Sequence, residues 1–190
     1  MISPTWALQQ FISPTQHMET QARADKALAV RCIGGLTQYA AELGQKADPG
    51  GQERIHALRE LVGYLASYWC LEDEPGGMDE AGYREAFDRR VAEAGAAEHP
   101  RRPTPEQKSD TVFGLYRYAM DLIPNLGVDA QKDVLGSRDL IREIEQFWDF
   151  GSPTLDQMCA DIEAAMQAQA AREAEFEEGS NEISAAPRLS

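Results

Sequence analysis

The 190-residue chain has few of the features that mark secreted, membrane-spanning or disulfide-bonded proteins. No run approaches the roughly 18 apolar residues that a membrane span requires, and the first residues lack the basic start and apolar core of a secretory signal. The three cysteines, Cys32, Cys70 and Cys159, are odd in number and far apart. That pattern is typical of small hydrophobic residues in a reducing compartment, not of a disulfide framework or a zinc site. We therefore expect a cytoplasmic protein without a membrane-spanning segment.

Sequence motifs of catalysis and cofactor binding are missing as well. The chain contains no HExxH, CxxC, GxGxxG or GxxxxGK[ST] sequence. We therefore expect no cofactor and no enzymatic activity, and we infer function from charge and architecture.

Basic residues are scarce: 18 Lys and Arg stand against 32 Asp and Glu, which gives a net charge of −14 and a pI of about 4.6. The acidic surplus lies mainly in residues 51–100, with five basic residues against eleven acidic, and in residues 151–190, with two against eight. Such a field repels nucleic acid and anionic membranes and favours basic partners.

Apolar residues recur at helical spacing throughout the chain, and no alternating strand pattern appears. The strongest helix, Gln52–Leu71, carries two adjacent apolar stripes: Ile55, Leu58, Val62, Leu65 and Trp69, and beside them Leu61, Tyr64, Tyr68 and Leu71. A helix that is apolar around most of its girth needs neighbours on several sides. We therefore predict that this helix is the centre of the domain.

Ser-Pro and Thr-Pro pairs predict where other helices begin, because Ser or Thr can cap free N–H groups while Pro needs no partner in the first turn. The expected helices are a short one anchored by Trp6 and Phe11, Pro14–Leu43, Met78–Ala94, Pro105–Ile123 ended by Pro124, a short turn Asp129–Leu135, Ser137–Phe150, and a last one from Ser152. In the second of these, Gly34 and Gly35 predict either a kink or a close approach of another helix.

The resulting prediction is an all-α protein, with a single helical-bundle-like domain of six or seven helices over residues 1–178. Its C-terminal helix is expected to protrude, and residues 179–190 form a disordered acidic and polar tail. Leu155, Cys159, Ile162 and Met166 follow the four-three-four spacing of a coiled-coil seam. This spacing allows a homodimer through residues 155–166.

One group of residues suggests a metal site. Glu53, His56 and Glu60 lie one turn apart on the same helical face, as in the Glu-x-x-His unit of di-iron bundles. Those sites need two copies of the unit and two further carboxylates, and this chain has no second copy. An exposed polar helix edge is the favoured interpretation, and a helical-bundle metal protein or enzyme is the third functional hypothesis.

Two basic clusters, Arg89–Arg90 and Arg101–Arg102, are the only candidates for contact with nucleic acid, and acidic residues surround both. We expect no direct nucleic-acid binding. The alternative function that they allow is a helical small subunit or adaptor within a nucleoprotein complex.

The acidic residues form two clusters. One lies at a predicted turn and the other near the C-terminus: Glu72, Asp73, Glu74, Asp79 and Glu80, and then Glu173, Glu175, Glu177 and Glu178. Closely spaced carboxylates can imitate a row of phosphates on a surface that normally holds DNA or RNA. The leading hypothesis is a non-enzymatic acidic protein that binds a basic protein surface. An inhibitor of a nucleic-acid-processing complex, of the phage or mobile-element counter-defence type, fits this description. A merely solvated, solubilising face is the alternative interpretation.

Overall fold

A computed structural model describes residues 14–46, 50–97, 102–126, 131–151 and 153–184, and these ranges contain helices but no strand. The helices are α1 (Pro14–Gln45), α2 (Gly51–Tyr68), α3 (Glu80–Gly95), α4 (Pro105–Leu126), α5 (Gln131–Trp148) and α6 (Pro153–Ser184), with a 3-10 turn at Leu71–Asp73. The all-α prediction is confirmed. The predicted short helix with Trp6 and Phe11 lies outside the described residues. None of the helices in these ranges combines the length and the apolar character that crossing a membrane requires.

The chain divides into two compact units, residues 1–111 and residues 112–190, and the division falls within α4. We call them unit 1 and unit 2. The single domain over residues 1–178 stays a prediction.

In unit 1, α1, α2 and α3 pack against one another. The largest side chains of this core are at most 1 % exposed: Leu36, Tyr39, Leu65, Leu71 and Phe87. The predicted first stripe of the central helix is largely confirmed, because Leu58, Val62 and Leu65 are buried. α2 is therefore a core helix of unit 1.

The second stripe of the same helix does not have the predicted cover. Tyr64 is 56 % exposed and Tyr68 is 36 % exposed. Cys70 adopts a left-handed conformation (φ 48°), so the helix ends at Tyr68 and the chain turns. Leu71 reaches the core from the 3-10 turn, not from the helix. The two stripes thus have different environments, and only one of them faces the core.

The start of α4, as far as Thr111, also belongs to unit 1 and contacts α1. Cys32 Sγ lies 3.3 Å from the carbonyl oxygen of Thr111, and Arg31 Nε donates to Asp110 at 2.7 Å. The predicted start of α4 is confirmed in detail. Gln107 N donates to Thr104 Oγ1 at 3.2 Å, and Thr104 N donates to Gln107 Oε1 at 2.9 Å, which is a reciprocal capping box.

In unit 2, α5 packs against α6. Two predicted boundaries were wrong here. Ser137 is buried inside one continuous helix instead of capping a separate one, because Val134, Ser137 and Ile141 share a face that continues without interruption. Pro124 lies inside α4, which ends two residues later at Leu126, because a proline removes its own N–H without forcing the helix to stop at once.

The predicted coiled-coil seam is packed within the chain. Leu155, Cys159 and Ile162 are at most 3 % exposed. Met166, the fourth residue of the seam, is half-buried, and a homodimer through residues 155–166 stays a prediction. Helix α6 runs to Ser184, beyond Gly179 where the sequence suggested its end, and residues 185–190 lie outside the described part of the chain.

Candidate partner-binding surface between α2 and α3

The acidic turn after α2 has a defined backbone conformation. Asp73 N donates to Cys70 O at 3.3 Å, Glu74 N to Leu71 O at 3.2 Å, and Gly77 N to Glu74 O at 2.7 Å. The buried side chain of Leu71 attaches the turn to the core. The carboxylates of this turn therefore project from an ordered backbone.

Three of the five predicted acids have partners inside unit 1. Glu74 Oε1 lies 2.8 Å from Lys26 Nζ, and Glu80 forms an ion pair with Arg84. Asp79 caps α3 by accepting a hydrogen bond from Gly82 N at 2.8 Å. These three residues contribute to the stability of the turn and of α3 as well as to its charge.

The other two acids of the turn, Glu72 and Asp73, are exposed, and neither forms an ion pair or side-chain hydrogen bond with any described residue. The hydrogen bond from Lys26 to Glu74 raises the pKa of the Lys26 ammonium, and the neighbouring Asp73 charge adds to that effect. Lys26 is thus already held by Glu74. Glu72 and Asp73 keep their charge available to a partner.

An open groove of about 370 Å³ lies beside this turn, between the end of α2 and the start of α3. Three small residues, three acids, one methionine and one arginine line it: Ala66, Ser67, Ala81, Glu72, Asp79, Glu80, Met78 and Arg84. We call it the α2–α3 groove.

Arg84 is the one basic side chain of the groove, and its charge is used inside the fold. Its Nη2 lies 2.9 Å from Glu60 Oε2 and also pairs with Glu80. Gly63 gives it room, because a Cβ atom at that position would lie 2.7 Å from Arg84 Nε. The guanidinium carbon lies 5.6 Å from the centre of the Tyr64 ring, within the range of a cation–π contact. The single charge of Arg84 is shared between Glu60 and Glu80 and therefore does not offset Glu72 and Asp79.

One exposed apolar side chain lines the groove, and a second contacts Arg84, which is one of its lining residues. Met78, which lines it, is 38 % exposed, and Tyr64, which Arg84 covers on one side, is 56 % exposed. Sequence reasoning named neither Met78 nor Arg84 as part of a partner-binding surface. The spacing of Glu80 and Arg84, one helical turn apart, was the only sequence signal for the ion pair.

The C-terminal acids belong to unit 2 and lie apart in sequence from this surface. Glu173 is half-buried and accepts a hydrogen bond from Gln169 at 2.9 Å, whereas Glu175 is exposed. The side chains of Glu177 and Glu178 are outside the described part of the structure. Only Glu175 is therefore shown as a freely accessible carboxylate of this cluster.

The basic clusters are partly described. Arg89 and Arg90 are exposed on α3, and Arg102 is exposed before α4, while Arg101 lies outside the described residues. None of these three described arginines forms an ion pair with another described side chain.

The predicted metal-binding group does not assemble. Glu53 and His56 are exposed, whereas Glu60 lies 2.9 Å from both Arg59 and Arg84. Within the described ranges, no three His, Cys, Asp or Glu side chains come close enough to hold a metal ion. Arg59 and Arg84 form ion pairs with Glu60, which is one of the carboxylates that the metal hypothesis requires.

Comparison of the chain with models of protein families, with curated proteins and with solved structures found no match. Its function therefore has to be inferred from the residues and geometry of the chain itself.

Proposed function

We propose that the protein is a cytoplasmic, non-enzymatic interaction protein that presents the acidic turn and the α2–α3 groove to a basic surface of a protein partner. The observation that supports this most directly is that Glu72 and Asp73 project from an ordered turn and carry no internal ion pair among the described residues. Because the backbone of the turn is already ordered, a partner that binds these carboxylates has to order only their side chains.

The charge of the whole chain supports the same proposal. A net charge of −14 attracts a basic partner over a distance, and complementary fields accelerate the encounter of two proteins. A surface that normally holds DNA or RNA is the best-matched partner of this kind, because it is lined with Lys and Arg. We therefore propose an inhibitor of a nucleic-acid-processing complex, of the phage or mobile-element counter-defence type.

A differential capture experiment tests this proposal. Immobilised wild-type protein and the variant Glu72→Gln, Asp73→Asn are each exposed to host-cell extract, and the retained proteins are quantified by mass spectrometry. The control variant Glu53→Gln, Glu93→Gln removes the same number of exposed carboxylates elsewhere on unit 1. We call the Glu72→Gln, Asp73→Asn protein the turn variant. We expect the wild type and the control to retain basic proteins that the turn variant does not retain. Added nucleic acid should displace these proteins from the wild type.

The salt dependence of the captured complex provides a second measurement. Attraction between exposed charges weakens as the Debye length falls from about 10 Å at 0.1 M salt to about 3 Å at 1 M. We expect association to slow by about an order of magnitude in the turn variant, with the same unfolding midpoint as the wild type. If the turn variant retains the same proteins at the same rate as the control, the acidic turn only aids solubility and the proposal is wrong.

A helical subunit or adaptor of a nucleoprotein complex is the second candidate, and the exposure of Arg89 and Arg90 favours it. In that case Arg89→Gln, Arg90→Gln would lose a retained ribonucleoprotein or DNA complex that the turn variant keeps. The same capture experiment therefore separates the two functions.

A further inference from the structure

We infer that the α2–α3 groove takes a peptide segment of the partner in which an apolar side chain lies next to Lys or Arg. This inference rests on the proposed function and specifies the partner's contact. It is carried by the groove together with two exposed apolar side chains: Met78, which lines the groove, and Tyr64, which contacts the lining residue Arg84.

The groove has the size of a side-chain site. Its volume of about 370 Å³ is at the lower end of the range of about 300–1,000 Å³ found for ligand pockets. This volume accommodates one or two side chains of a peptide, while the open form of the groove leaves the peptide backbone in solvent.

The charge of the lining selects a basic peptide. Arg84 is balanced by Glu60 and Glu80 on either side, so its positive charge does not offset the other acids. Asp79 uses one carboxylate oxygen for the helix cap, and Glu72 uses neither. A Lys or Arg side chain in the groove would therefore meet an unbalanced negative field.

The apolar side chains select a neighbouring apolar residue. Tyr and Met are enriched in protein interfaces, and the Tyr64 ring contacts Arg84 on one face while more than half of the residue stays exposed. A partner that carried charge alone would leave Tyr64 and Met78 in water. An apolar residue beside the basic one would reduce that exposure.

Direct binding of synthetic peptides to the full-length protein tests this inference. A labelled peptide of Lys and Leu is compared with one in which every Leu is replaced by Ser and one in which every Lys is replaced by Gln, by fluorescence anisotropy near physiological salt. We expect the Lys–Leu peptide to bind at least about fivefold more tightly than either comparison peptide, because the charged and the apolar contact both contribute.

Variants of the protein locate the site. Tyr64→Ala and Met78→Gln should each weaken binding of the Lys–Leu peptide about fivefold or more, as removal of a central interface side chain does. Tyr64→Phe keeps the ring and should bind like the wild type. Val30→Gln removes another exposed apolar residue of unit 1, outside the groove, and should have no effect. Circular dichroism verifies that each variant is folded.

The two proposals fail in different ways. If Glu72→Gln, Asp73→Asn, Asp79→Asn binds the peptide as tightly as the wild type, the acidic surface is not the contact and the proposed function fails with it. A different result overturns only the further inference. In that result, the acid variant binds weakly, but Tyr64→Ala and Met78→Gln bind the Lys–Leu peptide as tightly as the wild type does. The Ser peptide also binds as tightly as the Lys–Leu peptide, so that the contact is purely electrostatic.

Two further measurements test whether something other than a partner peptide occupies the groove. If Trp6→Ser, Phe11→Ser increases peptide affinity about tenfold, the chain's own N-terminal segment competes for the groove and the inference is wrong. It is equally wrong if the wild type self-associates on sedimentation and Met78→Gln abolishes that association, because the occupant is then a second copy.

Discussion

Gly35 of α1 faces Thr111 of α4 so closely that no side chain fits between them. A Cβ atom on Gly35 would lie 2.9 Å from Thr111 Cβ and closer still to the Thr111 hydroxyl oxygen. That hydroxyl donates to Gln107 O at 2.6 Å, so it is held in place. Of the two explanations for the glycine pair, a kink or a close approach, the structure confirms the close approach at Gly35.

Replacing the two glycines should have opposite effects. We expect Gly35→Ala to lower the free energy of unfolding by about 1–3 kcal/mol or more, the usual cost of overpacking. A Cβ atom on Gly34 would have no neighbour within 4 Å, so Gly34→Ala should be neutral or stabilise by up to about 1 kcal/mol through helix propensity. Urea unfolding measures both. Equal effects of the two substitutions would contradict the close contact with Thr111.

The core position of α2 gives a second prediction. Leu65 is 1 % exposed, so Leu65→Ala should leave a cavity and cost roughly 2–5 kcal/mol of unfolding free energy. Leu61, one turn earlier, is only half-buried, and Leu61→Ala should cost clearly less. A loss below about 1 kcal/mol for Leu65→Ala would mean that α2 is not a core helix.

The ion pair of Lys26 and Glu74 gives a pH-dependent prediction. The hydrogen bond to Glu74 raises the pKa of Lys26 above its ordinary value of 10.5. A raised pKa in the folded state stabilises the protein fully below pH 10.5, and this contribution is lost as the pH rises through the raised value.

We therefore expect Lys26→Met to destabilise the protein at neutral pH and to have a diminishing effect above pH 10.5. Unfolding curves of the wild type and the variant across this range measure the difference. In a Glu74→Gln background the same substitution should show a much smaller pH dependence. A difference that stays constant with pH would show that the pair does not form.

The three cysteines should differ in reactivity. Cys70 is exposed, whereas Cys32 and Cys159 are each 1 % exposed, and burial raises the pKa of the Cys159 thiol. At slightly alkaline pH we expect one thiol to react quickly with maleimide and two to react only on unfolding. Cys70→Ser should abolish the fast phase. Two fast thiols in the wild type would mean that one of the buried positions opens readily.

Much of the fold was predictable because it depends on short-range order. The capping box of Thr104 and Gln107 and the start of α4 follow from residues three apart in sequence. The predictions at Pro124 and Ser137 were wrong because a local stop or cap signal is weak compared with a continuous apolar face. Ser137 lies on such a face, and the helix continues through it.

The acidic cluster at the turn was also visible in the sequence, but the availability of its charges was not. Lys26 reaches Glu74 across 48 positions, and Arg84 of α3 reaches Glu60 of α2. These pairings distinguish Glu72 and Asp73, which have no ion pair among the described residues, from Glu74 and Glu80, which are paired with Lys26 and Arg84.

Helical class, the approximate ends of most described helices and the excess of negative charge follow from the sequence alone, because periodicity, capping and composition are local properties. Tertiary structure decided which apolar stripe of α2 is covered, which carboxylates are neutralised and where the groove lies. Tyr64 and Leu65 are neighbours in sequence and both apolar enough for a core, yet one is exposed and the other buried. Only the packing of α1 and α3 against one side of α2 separates them, since burial depends on residues that are distant in the chain.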